Sequence, residues 1–264
     1  MVKSYLPESF RADDYLPSYT YEIGPARIEG HTVLGKRSAL DWESTSKYVA
    51  RLLDILRRMT DRALREVTVV VYEDVTPKTL PERGEAIGPT NVNSGFTWFD
   101  PRRKTEGIVI FRLEEFHKVL CHELLHFYKV SQSPCDSRVS KKAASVFAYP
   151  GSETTLCVNE ALTELNATVI NAWIRTKSNF RAFMKAMERE YEHTMRTIAR
   201  MRAHFEIPKD SSDWSKWRET THAFSYYVLK GIYMAHAFGW DPSAFKSAKL
   251  NVGEGSLYMT VTGV

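Results

Sequence analysis

Between residues 40 and 63, Leu40, Tyr48, Leu52, Leu53, Leu56 and Met59 recur at largely helical spacing, and the pattern then changes to the β-branched run Val67-Thr68-Val69-Val70-Val71-Tyr72. The first is the apolar stripe of an amphipathic helix and the second reads as a strand. Residues 74 to 92 carry Thr76-Pro77, Leu80-Pro81 and Gly88-Pro89. Each proline pushes the residue before it away from helical geometry, which predicts a loop. Two strand-like runs, 93–99 and 107–112, flank the polar stretch 100–106 and predict a β-hairpin. Next comes a helical pattern in which Leu113, Phe116, Leu120, Leu124 and Phe127 share one side. Helical spacing returns over 158–173, over 180–205 ahead of Pro208, and over 214–238. The segment up to Gly35 is rich in Tyr, Pro and charge and is expected to drape over the domain as an arm. The order predicts one α+β domain over 1–264: an arm (1–35), an N-terminal lobe (36–130) holding a small mixed sheet with the hairpin at its edge, and a mainly helical C-terminal lobe (131–264).

On the side of the 113–127 pattern opposite the apolar stripe stands His122-Glu123-Leu124-Leu125-His126, an H-E-x-x-H motif. Each helical residue turns by about 100°, so His122 and His126 project one turn apart from the same face, where both imidazoles can reach one metal ion. Glu123 beside them can act as a general base without being a ligand. An accidental motif would seldom sit on so apolar a helix, where half-buried polar groups carry a desolvation cost.

Catalytic zinc usually has three protein ligands and one open position. Glu160, in Asn159-Glu160-Ala161-Leu162-Thr163-Glu164, shares a helical face with Glu164. With Glu160 on the metal, Glu164 lies one turn further on, placed to accept the N–H of a ligating histidine. Rivals for the third position are Asp136, Glu153, His193 and His222.

H-E-x-x-H followed by Asn-Glu-x-x-x-Glu resembles the gluzincin branch of the zincin metallopeptidases, to which the thermolysin-like enzymes belong. The resemblance covers roughly residues 90 to 175. It implies a zincin-like fold and one Zn²⁺ per chain held by His122, His126 and Glu160, with Glu164 behind a histidine and Glu123 as base. It also implies a protein or peptide substrate, with cleavage at internal bonds as the default and cleavage from either chain end left open. Thirty-three residues separate His126 from Glu160, a longer insert than in thermolysin-like members. Peptidases of this kind add an extended substrate to an edge strand, which makes residues 93 to 98, with Asn93, Ser94, Gly95, Phe96 and Thr97 foremost, the expected substrate rail. A hydrolase of a non-peptide amide, or a zincin-fold binding protein without turnover, would carry much of the same pattern.

A tetrahedral oxyanion needs a further donor. His222 and Tyr226, spaced i and i+4 in an aromatic helical stretch, are the expected pair, and Tyr149 is a second choice. His117 and His204 read as surface histidines and His236 as a packed one. A formal charge of +4, with basic residues scattered among acids, gives no footprint for nucleic acid, and Arg102-Arg103-Lys104 and Lys141-Lys142 read as solvated loop charges. No run is long and apolar enough for a membrane span, and the start lacks the apolar stretch of a signal peptide, so an intracellular, cytoplasmic protein is expected. Cys121, Cys135 and Cys157 form no metal-spaced cluster, and three cysteines suit a reducing compartment, with a Cys135–Cys157 bridge left open. Cys121 reads as a small core residue.

Overall fold

A computed structural model describes residues 6, 10–100, 102, 105–130, 137–151, 156–209 and 211–240. Within them the chain is α+β, with a five-stranded mixed sheet in the order β1-β2-β3-β5-β4 and helices mainly in the second half. The strands are Tyr15–Ile23 (β1), Ala26–Val33 (β2), Val67–Tyr72 (β3), Gly95–Asp100 (β4) and Thr105–Ile110 (β5). The two hairpins, β1–β2 and β4–β5, are antiparallel, while β2–β3 and β3–β5 are parallel. Between and after the strands run α1 (Trp42–Thr60), the single turn α2 (Pro89–Val92), α3 (Phe116–Phe127), α4 (Ser137–Val146), α5 (Val158–Arg175), α6 (Phe180–His204) and α7 (Lys230–Phe238). Among these described helices none is long and apolar enough to cross a membrane.

Strand β3 coincides with its predicted run, and β4, paired on one side only, is the edge strand that the hairpin reading expects. The expected arm is corrected: most of its described residues form β1 and β2 and complete the sheet. Its period-2 signal is masked because the inward positions of β2 are Ala26, Ile28, Gly30 and Thr32, only one of them large and apolar, and because β1 contains Pro17 and a register irregularity between Pro17 and Tyr19. Gly30 faces Tyr19, whose ring lies where a side chain at residue 30 would go.

Helix α1 begins at Asp41, whose carboxylate accepts from the amides of Glu43 and Ser44 and so satisfies two of the free N–H groups of the first turn. Its buried face, with Val49, Leu52 and Leu56, joins β2, β3, β5 and α3 in an N-terminal core. A second core unites α4, α5, α6 and α7 around Trp214, Trp217 and Phe224. The 74–92 loop is pinned to this second core: Ile87 exchanges backbone hydrogen bonds with Arg218 and Thr220, and the Glu85 carbonyl lies 2.8 Å from His204 Nε2. His204 is therefore buried, contrary to expectation. His117 is half-buried against Tyr48, with ring centroids 4.4 Å apart, and His236 is exposed. Arg102, Lys141 and Lys142 are exposed as expected, although Lys141 and Lys142 lie on α4 and not on a loop, while Arg103 and Lys104 lie outside the described residues. Cys121 is free and buried and Cys157 is disulfide-bonded, a bond that oxidising compartments preserve. Cys135 lies outside the described residues.

The tight Gly30–Tyr19 pairing makes a prediction. Tyr19 donates to Glu73 Oε1 and packs on Trp42 at 4.4 Å, so its ring cannot yield freely to a methyl group. Gly30→Ala is expected to destabilise the protein by about 1–3 kcal/mol. An unchanged urea midpoint would show that the ring moves aside without loss.

Candidate metal centre

Helix α3 carries the H-E-x-x-H motif into the interior. It runs between the sheet and α5, and most of its residues are buried, His122 and Glu123 among them. The residue before it, Glu115, adopts a left-handed backbone (φ 60, ψ 27) and caps no helix N–H with its side chain. Its carboxylate instead bonds Lys118 on the first turn and Lys78 on the preceding loop.

Three side-chain atoms converge at the meeting of α3 and α5. His122 Nε2 and His126 Nε2 are 3.0 Å apart, and Glu160 Oε2 lies 3.5 Å from the first and 3.3 Å from the second. Among the described residues this trio is the group whose ligand atoms all fall within 4.8 Å of one another. The alternatives for a third position separate on position: His193 stands on α6 beside another cavity, His222 is outside the trio, and Asp136 and Glu153 lie outside the described residues.

Glu164, one turn beyond Glu160, accepts at Oε2 from His122 Nδ1 at 2.9 Å. Its other oxygen lies 3.0 Å from Lys118 Nζ and 3.6 Å from Lys230 Nζ. Burial would raise the Glu164 carboxyl, but Lys118 and Lys230 outweigh it and hold the group far below the usual carboxylate range. It is therefore an ionised acceptor, which makes Nδ1 of His122 the donor and turns Nε2 toward the trio. Burial disfavours a charged His122, yet its bonds to Glu160 and Glu164 prevail and raise its pKa to about 10. Burial likewise opposes a charged Glu160, and its bonds to His122 and His126 hold it ionised. The triangle thus attracts positive charge.

The residues fit a zinc ion. Zinc ligands at about 2.0–2.2 Å in a tetrahedral arrangement lie about 3.3–3.6 Å from one another, close to the spacings found, and two imidazole nitrogens with a carboxylate oxygen are a donor set that zinc takes.

Glu123 points from α3 toward the sheet edge, where Thr97 Oγ1 donates to its Oε2 at 2.9 Å. Thr97 therefore holds a carboxylate as well as lying on the proposed rail. The rest of the rail divides by hydrogen bonding. The Phe111 N–H bonds the Ser94 carbonyl, and the Asn93 carbonyl accepts from Arg112, so neither carbonyl is free for a partner strand. Because Ser94 pairs with Phe111, the antiparallel alternation commits Phe96 to β5 and turns the N–H and C=O of Gly95, Thr97 and Phe99 outward.

The expected helix over 214–238 is corrected. Residues 214–223 are irregular and anchored by the buried Trp214 and Trp217, and the chain then makes a π-helical segment, Phe224–Leu229, before α7. The i, i+4 relation of His222 and Tyr226 survives at its start, where the Tyr226 N–H bonds the His222 carbonyl at 2.9 Å. Tyr226 reaches the site: its ring stands 5.8 Å from that of His122 and its hydroxyl bonds Glu160. Burial, with Glu160, Glu123 and Glu164 close by, pushes its pKa well up, so it stays a neutral donor. His222 stands beside Tyr226, with ring centroids 6.1 Å apart, and is not one of the three converging groups.

Lys78, Glu115, Lys118 and Lys230 are the groups that reading the sequence missed. One signal was present for Lys118, since 118, 122 and 126 share one helical face. A lysine on the ligand face of so apolar a helix requires a buried counter-charge.

No protein-family model matches the chain, and no curated protein or solved structure shows significant similarity to it.

Tyr149, the second choice for an oxyanion donor, lies elsewhere: its hydroxyl donates to Glu219, which also accepts from the Phe224 amide. Burial pushes the Glu219 carboxyl up to about 7, against the lowering pull of Tyr149 and the Phe224 amide. The folded chain then holds a proton that the unfolded chain releases from about pH 4.5, so this group's contribution to stability falls as pH rises to about 7 and is level above. Glu219→Gln keeps an acceptor but cannot ionise. Its stability relative to wild type is expected to rise by on the order of 3 kcal/mol between pH 5 and pH 8. Denaturant titrations giving a constant difference at the two pH values would refute this.

Proposed function

We propose that the chain is a zinc-dependent metallopeptidase that hydrolyses internal peptide bonds. The observation that carries the reading is the triangle of His122, His126 and Glu160 with Glu123 fixed beside it at the open edge of the sheet. Bound by those three residues, zinc would supply a Lewis acid that polarises the carbonyl and lowers the pKa of a water.

The remaining steps belong to the chain. Glu123 takes a proton from the attacking water and passes it to the leaving amine, which requires a carboxylate that stays in place through both transfers. Thr97 provides that restraint by occupying Oε2. Tyr226, neutral and hydrogen-bonded to Glu160, donates to the oxygen on which negative charge develops. Glu164 keeps His122 in the tautomer that turns Nε2 to the site. The outward backbone groups of Gly95 and Thr97 on β4 receive an extended peptide as an added strand.

Two measurements test the reading together. Elemental mass spectrometry of the purified protein is expected to find about one zinc per chain, retained in Glu123→Gln and largely lost in Glu160→Ala. Hydrolysis of a quenched-fluorescence peptide mixture is expected to fall by about 10²–10⁴-fold in Glu123→Gln. A wild type that takes up no zinc after reconstitution would remove the metal, and one that binds zinc yet cuts no peptide would turn the reading to a non-peptide amide or to a binding role.

A further inference from the structure

Next to the metal triangle lies a cavity of about 50 Å³ that extends from His122 and Glu123 to Lys78, Lys118 and Ser94. One water needs about 10–15 Å³ on this measure, so the space holds a few waters or one small polar group. Lys78 and Tyr227 also line a second cavity of about 150 Å³ that reaches His193 and Arg200.

A count of donors and acceptors identifies what that group should be. Lys78 Nζ bonds Glu115 Oε2 at 2.9 Å, and Lys118 Nζ bonds Glu115 Oε1 at 2.6 Å and lies 3.0 Å from Glu164 Oε1. An ammonium has three donors, so two remain on Lys78 and one on Lys118. Ser94, only 3% exposed, lines the same cavity with a hydroxyl that has no hydrogen-bond partner. On the acceptor side, both oxygens of Glu115 and both of Glu164 already face a lysine or His122. Lys78, Lys118 and Lys230 surround two carboxylates, Glu115 and Glu164. With Glu123 included, three lysines meet three carboxylates, so the free donors rather than a net charge mark the cavity for an acceptor. Glu190, half-buried on α6, acts on Lys230 without an ion pair among the described residues, and Glu123 is engaged by Thr97.

The geometry points to this cavity as a carboxylate subsite, in which Lys78, Lys118 and Ser94 receive an acidic group of the substrate next to the bond that is cut. The carboxylate can belong to an aspartate or glutamate side chain or to the C-terminus of a short peptide. The inference rests on the peptidase reading, and its test separates the two.

Zinc-loaded wild type, Ser94→Ala and Lys78→Met are compared on peptides that differ only in the residue after the cleaved bond (Glu, Gln, Leu or Lys), each with a free or an amidated C-terminus. Wild type is expected to prefer Glu over Gln by about tenfold in kcat/KM, and both variants to bring that ratio toward one. A preference that instead follows the free C-terminus of short peptides assigns the subsite to the terminal carboxylate. Equal rates for Glu, Gln and Leu, with and without amidation, overturn the inference. If no peptide is cut, succinate is titrated calorimetrically into zinc-loaded Glu123→Gln with and without Ser94→Ala. Binding weakened about fivefold by Ser94→Ala keeps the subsite while the peptidase reading falls. Succinate that does not bind, or binds both proteins equally, overturns the subsite. Ser94→Ala removes one unpartnered oxygen, so its result stands even where Lys78→Met fails to fold.

Discussion

Glu164 is a buried carboxylate that reaches across the junction of the two cores. From α5 it touches His122 and Lys118 of α3 and Lys230 at the start of α7. Removing a carboxylate from water is costly, and only nearby positive charge restores the balance. Three cationic or proton-donating partners from two other helices supply it, so α3, α5 and α7 cannot shift against one another without separating buried charge. That restraint fixes the angle at which His122 meets His126 and Glu160, and hence the size of the triangle.

The N-terminal half orients the other wall of the site. Strands β3 and β5 run parallel through the core, and β4 folds back from β5 to leave one edge open. Because β4 lies directly over α3, Thr97 can engage Glu123, and Ser94 and Gly95 come to the rim of the cavity. The left-handed turn at Glu115 starts α3 and sends a carboxylate back between Lys78 and Lys118. Backbone geometry that an ordinary residue adopts at some expense is here joined to the placement of two charges.

Much of the site was legible because it is written at helical spacing. His122 and His126 one turn apart, and Glu160 and Glu164 one turn apart, need only regular helices to produce their shared faces, and α3 and α5 are regular. The β-branched run at 67–72 was equally direct. What stayed hidden depends on tertiary context. The inward side of β2 is built from Ala, Gly and Thr as well as Ile28, so its strand signal emerges only once Tyr19 fills the space over Gly30. The π-helical segment at 224–229 follows the anchoring of Trp214 and Trp217, which no local pattern announces. Lysines at 78, 118 and 230 look like ordinary surface residues until the fold brings Glu115 and Glu164 beside them.

Those lysines argue for chemistry over stability. A buried ion cluster is seldom more stabilising than apolar side chains of the same volume, because Coulomb attraction does little more than offset lost hydration. A chain selected only to join α3 to α5 would do as well with apolar residues at 115, 118, 164 and 230 together, extending the packing already present around Leu120 and Leu165. Lysine at 118 and 230 makes sense where a histidine must be held in one tautomer by an acid that stays ionised in a dry interior. Keeping Glu164 ionised requires cations that water cannot replace, and their donors in turn require acceptors. Glu115 meets part of that demand and the cavity beside Ser94 leaves the rest open, so the same charges that orient His122 leave donors turned into that cavity.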